Sequence, residues 1–376
     1  MLYVGIDQHT RQLTVCVRNE EGDVVLRRQV GTHLDQVVPF LEQIRDDAGA
    51  SGGFVAIVEV CGFNGWLIEL LEQMGCRETV VIQPEKASNR KTDRRDAARL
   101  SELLWVNRQR LLDGRRVQGL RRIELPAGQD AADRQITTLR QRFGAQRTQL
   151  INRIKRIIHK HNLIHDQPTK TFPTKAVQKW LRVLELPAID RLELDLLLTQ
   201  WELVEEQLTL VNTEIAERVV QEPRALRLMT IGGCGAFTAL TIASRIGRIE
   251  RFRSGRSLAN FFGLTPTCSS SGESGARLGH ISKQGSSIAR FLLGQLVTRV
   301  LRDDTLLRRW YSGIKRRRGA KIARVAVMRR LTTSIWHMLK YDEGYLPVAL
   351  RQDVPRKPPQ QPGISVPTTA KPLTSV

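Results

Sequence analysis

The sequence predicts an α/β domain at its N-terminal end and a predominantly helical remainder. Three observations carry that reading. About the first hundred residues alternate short β-branched runs with segments of helical apolar spacing. Two later stretches repeat apolar residues over lengths that only long helices sustain, and the region beyond them is rich in Leu and Val at helical intervals.

Leu2–Ile6 and Leu13–Val17 are β-branched runs separated by the polar turn Gln8-His9-Thr10-Arg11. Val24–Val30 follows the turn Glu21-Gly22-Asp23, so the chain opens as an antiparallel meander. Leu34, Val37, Val38, Leu41 and Ile44 recur at helical spacing, and Phe54–Val60 reads as a strand covered on both faces. A helix from about Asn64 to Met74, a strand over Thr79–Ile82 and a helix entered through Asn89–Asp93 complete the order β-β-β-α-β-α-β-α. That order is the ribonuclease H-like arrangement, assigned to residues 1–125.

Residues 126–223 predict a coiled-coil helical hairpin. Ile136, Phe143, Leu150 and Ile157 fall seven apart, Pro168 and Pro173 break the chain, and a second helix carries Leu192, Leu196, Leu203, Leu208, Val211 and Ile215. The pair suits either an intramolecular hairpin or association between chains. Its first helix also carries Arg134, Arg140, Arg142, Arg147, Arg153, Lys155, Arg156 and Lys160, a wide basic surface. Residues 224–345 predict a mainly α C-terminal domain. There Ile231-Gly232-Gly233-Cys234-Gly235 looks like a helix-hairpin-helix turn offering backbone N–H groups to a phosphate, and a Ser/Gly-rich loop spans Thr267–Gly275. Residues 301–330 hold 11 Lys/Arg against two Asp, which favours phosphate contact. Residues 346–376, rich in Pro and Gln, predict a disordered tail.

Charge narrows the class of partner. Lys and Arg number 59 against 38 Asp and Glu in 376 residues, a formal net charge of +21. Self-repulsion of that size points to a polyanion. No run approaches a membrane-spanning length, and Met1–Asp7 reads as a buried strand and not a secretory leader. Cys16, Cys61, Cys76, Cys234 and Cys268 are scattered, with no C-x-x-C pair, so neither a disulfide framework nor a zinc site is expected. No phosphate-cradling G-x-x-x-x-G-K-[ST] loop or dinucleotide fingerprint is present. The expectation is a cytoplasmic protein that meets nucleic acid.

Four acids stand out against this basic background. Asp7 closes the apolar strand Val4-Gly5-Ile6, Glu59 ends Ala56-Ile57-Val58, and Asp93 and Asp96 lie three apart, on one helical face. Each has an ordinary alternative as a strand-end turn acid or an ion-pair partner of nearby arginines. Together they occupy the first strand, fourth strand and last helix of the predicted fold. Carboxylates there are costly unless paired or metal-bound, and hard oxygen donors suit Mg²⁺ or Mn²⁺ in phosphodiester chemistry.

Gly5-Ile6-Asp7, Val58-Glu59 and Lys91-Thr92-Asp93-Arg94-Arg95-Asp96-Ala97 resemble the D-E-D-D signature of the DEDD insertion-sequence transposases, the IS-one-ten family. Gly263-Leu264-Thr265-Pro266 with Ser270-Ser271-Gly272, and Leu278-Gly279-His280-Ile281-Ser282-Lys283-Gln284-Gly285, resemble its C-terminal transposase domain. The resemblance covers residues 1–345. It implies a RuvC-like N-terminal domain, a coiled coil and a C-terminal domain with a serine nucleophile. It also implies Asp7, Glu59, Asp93 and Asp96 as ligands of Mg²⁺ (or Mn²⁺) and Ser270 as the nucleophile. The run Ser269-Ser270-Ser271 leaves Ser271 as the other register, and Glu273-Ser274 stands where Gly-Lys is common in the family. Arg277 and Lys283 suit either phosphate contact or plain surface charge. Partners implied are donor and target DNA, an element-encoded guide (bridge) RNA, and further copies of the chain, as dimers that pair into tetramers, in a bacterial or archaeal cell and associated with its nucleoid. Two other readings remain open: a metal-dependent junction-resolving nuclease using water in place of serine, and a non-catalytic nucleic-acid-binding protein.

Overall fold

The computed structural model describes residues 1–49, 52–83, 93–115, 117, 122–126, 128–271 and 274–347. The chain divides into two compact units, Met1–Leu125 and Pro126–Val376. The predicted tail from residue 348 on, and the entry to the third helix through Asn89, lie outside the described residues.

In the first unit β1 (Leu2–Gln8), β2 (Gln12–Arg18) and β3 (Val24–Gly31) form the meander. They are followed by α1 (Leu34–Gly49), β4 (Phe54–Glu59), α2 (Gly65–Gln73), β5 (Thr79–Ile82), α3 (Asp93–Val106) and the short α4 (Arg108–Leu112). The sheet order is β3-β2-β1-β4-β5, with β4 parallel to both β1 and β5. This is a mixed sheet with helices on both faces, in the predicted order.

Strand alternation assigns the faces. Val4, Ile6, Ala56 and Val58 are buried with Val37, Leu41 and Ile44 of α1 and Leu67 and Leu71 of α2. Tyr3, Val55, Ile57 and Val80 are buried with Leu100 and Leu104 of α3 and Leu111 of α4. By the same alternation Asp7 and Glu59 belong to the α3 face.

On that face α3 meets β1 backbone to backbone. A Cβ on Gly5 would lie 2.3 Å from the Ser101 nitrogen and 2.5 Å from the Ala97 oxygen. The indole of Trp105 donates to the Glu20 carbonyl at 2.9 Å, beyond the start of β1. So α3 runs against β1, and its first turn stands at the end of β1 that carries Asp7.

The second unit begins with α5 (Gly128–Lys160), α6 (Lys175–Val183) and α7 (Ala188–Val220). Helices α5 and α7 have 33 residues each, roughly 50 Å long. Leu150, Ile154, Ile157 and Ile158 of α5 are buried with Leu194, Leu197, Leu198, Trp201, Val204 and Leu208 of α7, and α6 closes this core with Val177 and Leu181. The inward stripe of α7 differs from the expected one. Leu192, Leu196 and Leu203 are more than half exposed. The helix carries apolar residues on two sides, and the sequence reading mixed them.

The chain continues through α8 (Pro223–Leu228), α9 (Ala236–Ile246), α10 (Gly255–Phe261), β6 (Pro266–Ser271), β7 (Ser274–Ile281), α11 (Ser287–Asp303), α12 (Thr305–Arg318) and α13 (Ala320–Tyr341). Leu240, Phe262, Leu293, Val297, Leu331 and Ile335 centre its core, and Ile136, Leu139 and Phe143 of α5 pack against it. The predicted loop over Thr267–Gly275 is instead part of an antiparallel β-hairpin. Serines and glycines hide a strand whose backbone pairs well but whose side chains lack β-branched bulk.

Gly5→Ala is expected to destabilise the first unit by about 1–3 kcal/mol through overpacking, because the obstructing atoms are backbone. Gly62→Ala, whose Cβ would meet nothing within 4 Å, is expected to stay within about 0.5 kcal/mol of wild type. Urea denaturation of both variants checks the pair; equal stabilities would refute the close approach.

Candidate active site

The parallel pairing of β1 and β4 sets the site. Ile6 pairs with Val58, so Asp7 and Glu59 are the next residues on neighbouring strands, on the face that α3 covers. Both are half-buried, and Asp96 is half-buried in the first turns of α3. Asp93 opens α3, and its side chain lies outside the described set. Topology therefore brings three strand and helix ends to one edge of one sheet face.

Among the described residues no three His, Cys, Asp or Glu side chains are grouped so as to hold a metal ion. Asp7 Oδ2 instead lies 3.1 Å from His9 Nε2. The hard oxygen donors gathered at this edge fit Mg²⁺ or Mn²⁺ in type.

Residues that the sequence reading passed over surround the acids. By sequence Gln8 and His9 fall in a polar turn, and Asn64 at the start of a helix. Asn64 is buried, and its Nδ2 donates to Gln8 Oε1 at 2.8 Å and to the Glu59 carbonyl at 3.1 Å. An Asn-Gly step before a helix signals a cap, and nothing in the sequence shows its side chain turning toward the strands.

In the second unit Ser269, Ser270 and Ser271 lie on β6. Ser269 pairs with Arg277 and Ser271 with Ser274, with a register shift between them at Ser270; the side chains of 268–278 are outside the described set. Lys283 is exposed and takes a left-handed backbone, φ 54°. The glycine turn between α8 and α9 has Gly233 at φ +79°, and a Cβ there would meet Arg299 at 2.7 Å.

The basic surface is narrower on α5 and broader on α12 than the sequence implies. Arg134 donates to the Ser244 carbonyl, Arg147 pairs with Glu205, Lys160 pairs with Asp190, and Arg140 and Lys155 lie over Phe237 and Phe172. Arg142, Arg153 and Arg156 remain exposed. On α12, Arg308, Arg309, Lys315, Arg316, Arg317 and Arg318 are all exposed, and Leu307 is its one buried residue. Trp310 is partly exposed beneath the Arg330 guanidinium, 5.2 Å from the ring centroid.

Comparison with known proteins bears on both units. The DEDD transposase model of the IS110 type, described as "Transposase", matches residues 4–162, and the model described as "Transposase IS116/IS110/IS902 family" matches residues 225–312. A probable family 20 transposase of Pseudomonas aeruginosa is 24% identical over 351 residues, covering 92% of this chain and 98% of the relative. The transposase for insertion sequence element IS1111A of Coxiella burnetii is 26% identical over 352 residues, covering 91% and 90%. The two family models fall on the two units in order and span about two thirds of the chain between them. With the acid-bearing sheet edge in the first unit, they establish that the chain belongs to the IS110-type DEDD transposases.

Proposed function

We propose that this transposase cuts and rejoins DNA with Ser270 as nucleophile and Asp7, Glu59, Asp93 and Asp96 as ligands of Mg²⁺ (or Mn²⁺). Sites are chosen by base pairing of donor and target DNA to an element-encoded guide RNA. The observation that carries this reading is the joint position of Asp7, Glu59 and the first turns of α3 on one edge of one sheet face. Ser270 is preferred to Ser271 because the β6–β7 register breaks at Ser270, and such irregularities re-aim a side chain.

The chemistry balances without an external energy source. Ser270 Oγ attacks a backbone phosphorus; one Ser–O–P ester forms, one strand P–O bond breaks, and the proton lost from the serine is regained by the departing strand hydroxyl. A strand hydroxyl from the recombining partner then reverses the exchange and frees Ser270. The bound divalent ion supplies stabilisation of the charge on the phosphate oxygens. The acids of one subunit serve the serine of another, in a dimer that pairs into a tetramer.

Two surfaces support the partners. The acid-free basic face of α12, with Trp310, suits phosphate backbone and stacked bases of DNA or RNA. On α7 the residues Ile189, Leu196, Leu203 and Leu210 are exposed and seven apart, joined by exposed Leu192 and Val220. That is a heptad seam left over after α5 is satisfied. Its neighbouring acids Asp195 and Glu202 are already neutralised by Arg191 and Arg182, which removes repulsion between like seams.

With element-junction DNA, flank RNA and Mg²⁺, a denaturing gel is expected to show a covalent protein–DNA band that Ser270→Ala abolishes and Ser271→Ala keeps. Asp7→Asn is expected to lower its formation by about 10²–10³-fold. Cleaved DNA with no covalent band, indifferent to either serine, would replace this reading with a water-using nuclease. Separately, Leu203→Ala with Leu210→Ala is expected to weaken self-association by about four orders of magnitude, taking roughly 1.5 kcal/mol for each leucine that the two copies contribute. Sedimentation velocity over a concentration series reads this, and association equal to wild type would exclude the α7 seam.

A further inference from the structure

One buried amide ties together the two strand ends that carry Asp7 and Glu59. Asn64 is only 4% exposed. Its Nδ2 donates to Gln8 Oε1 and to the Glu59 carbonyl, while its Oδ1 accepts from the Cys61 backbone N–H. Gln8 in turn donates from Nε2 to the Phe63 carbonyl at 3.2 Å. The side chain therefore uses both of its donors and its acceptor to hold the residue after Asp7 against Glu59 itself.

Asn64 stands at the N-cap position of α2, where asparagine ordinarily accepts from the helix N–H groups. It makes no such cap, so α2 forgoes that bond and the amide serves the strand ends. Cys61–Asn64 is the chain's exit from β4, and the Asn64–Gln8 bond bridges the tips of β1 and β4 past the last ladder pair, Ile6 with Val58.

We infer that Asn64, acting with Gln8, is a positioning residue that sets the separation of the Asp7 and Glu59 carboxylates for a divalent cation. The inference rests on the metal-binding reading above. Neither residue touches the reacting atoms; they act through the backbone of the acids.

The test is Mn²⁺ titration of the purified full chain by electron paramagnetic resonance, with wild type, Asp7→Asn, Asn64→Ala, Gln8→Ala and the double variant. Wild type is expected to bind Mn²⁺ and Asp7→Asn to lose it. Asn64→Ala and Gln8→Ala are each expected to raise the half-saturating concentration roughly tenfold, the double variant no further than the larger single effect, and excess Mn²⁺ to restore strand cleavage. Thermal unfolding in EDTA is expected to fall only modestly for Gln8→Ala, which leaves the Asn64 amide short of one acceptor, with the variant fully folded at the temperature of the titration, so that loss of affinity there reports position and not folding. Wild-type affinity in Gln8→Ala and in folded Asn64→Ala would overturn the inference alone. No Mn²⁺ bound by wild type would overturn the metal reading and this inference with it.

Discussion

The backbone of α3 rests on the backbone of β1 at Gly5, and the standing of the first turns of α3 beside the strand ends that carry Asp7 and Glu59 depends on that contact. Any side chain at Gly5 would run into Ser101 and Ala97. The approach fixes the height of α3 above the sheet, and the Trp105–Glu20 bond at its far end fixes its direction. With both set, the first turns of α3 can lie only at the end of β1 and β4. Small residues on α3 at 97 and 101 and a glycine on the strand are one device, because either alone would leave a gap or a clash.

In a chain of net charge +21, topology gathers carboxylates at one sheet edge, at the ends of two strands that carry no arginine. The support at that edge is rigid: a parallel ladder, a backbone-to-backbone helix contact and the Asn64 amide. Those three contacts fix the geometry of the strand ends.

The first unit was largely legible because its signals are redundant. Leu2–Ile6, Phe54–Val58 and Thr79–Ile82 are apolar strands that could not be anything else at that length, and the order of elements gives the sheet. The places of Asp7 and Glu59 on neighbouring strand ends were legible because each follows an apolar run. What failed to show has a physical cause in each case. The β6–β7 hairpin is built from serine and glycine, whose pairing lies in the backbone. The two sides of α7 are both apolar, so spacing alone could not tell Leu194 and Leu197, which are buried, from Leu196 and Leu203, which are not. Asn64 carries the sequence mark of a cap, and its use between strands is a matter of rotamer.

In the second unit the long helices are bound to the C-terminal core by buried charge. Asp133 of α5 is fully buried and pairs with Arg218 of α7 at 3.1 Å; Arg224 bridges Asp130 and Glu222. Arg245 of α9, whose guanidinium burial pushes down to about 10, bonds to Thr137 and Thr138 of α5 and to Ser286 at the start of α11. Burial likewise raises the Asp133 carboxyl against the pull of Arg218. Pairs like these add little net stability, since apolar residues of equal volume would pack as well. Their directional bonds do what apolar packing cannot: they allow one angle and one register for α5 and α7 as they leave the core. The seam on the outer side of α7 is thereby held in a fixed relation to the core from which the β6–β7 hairpin projects.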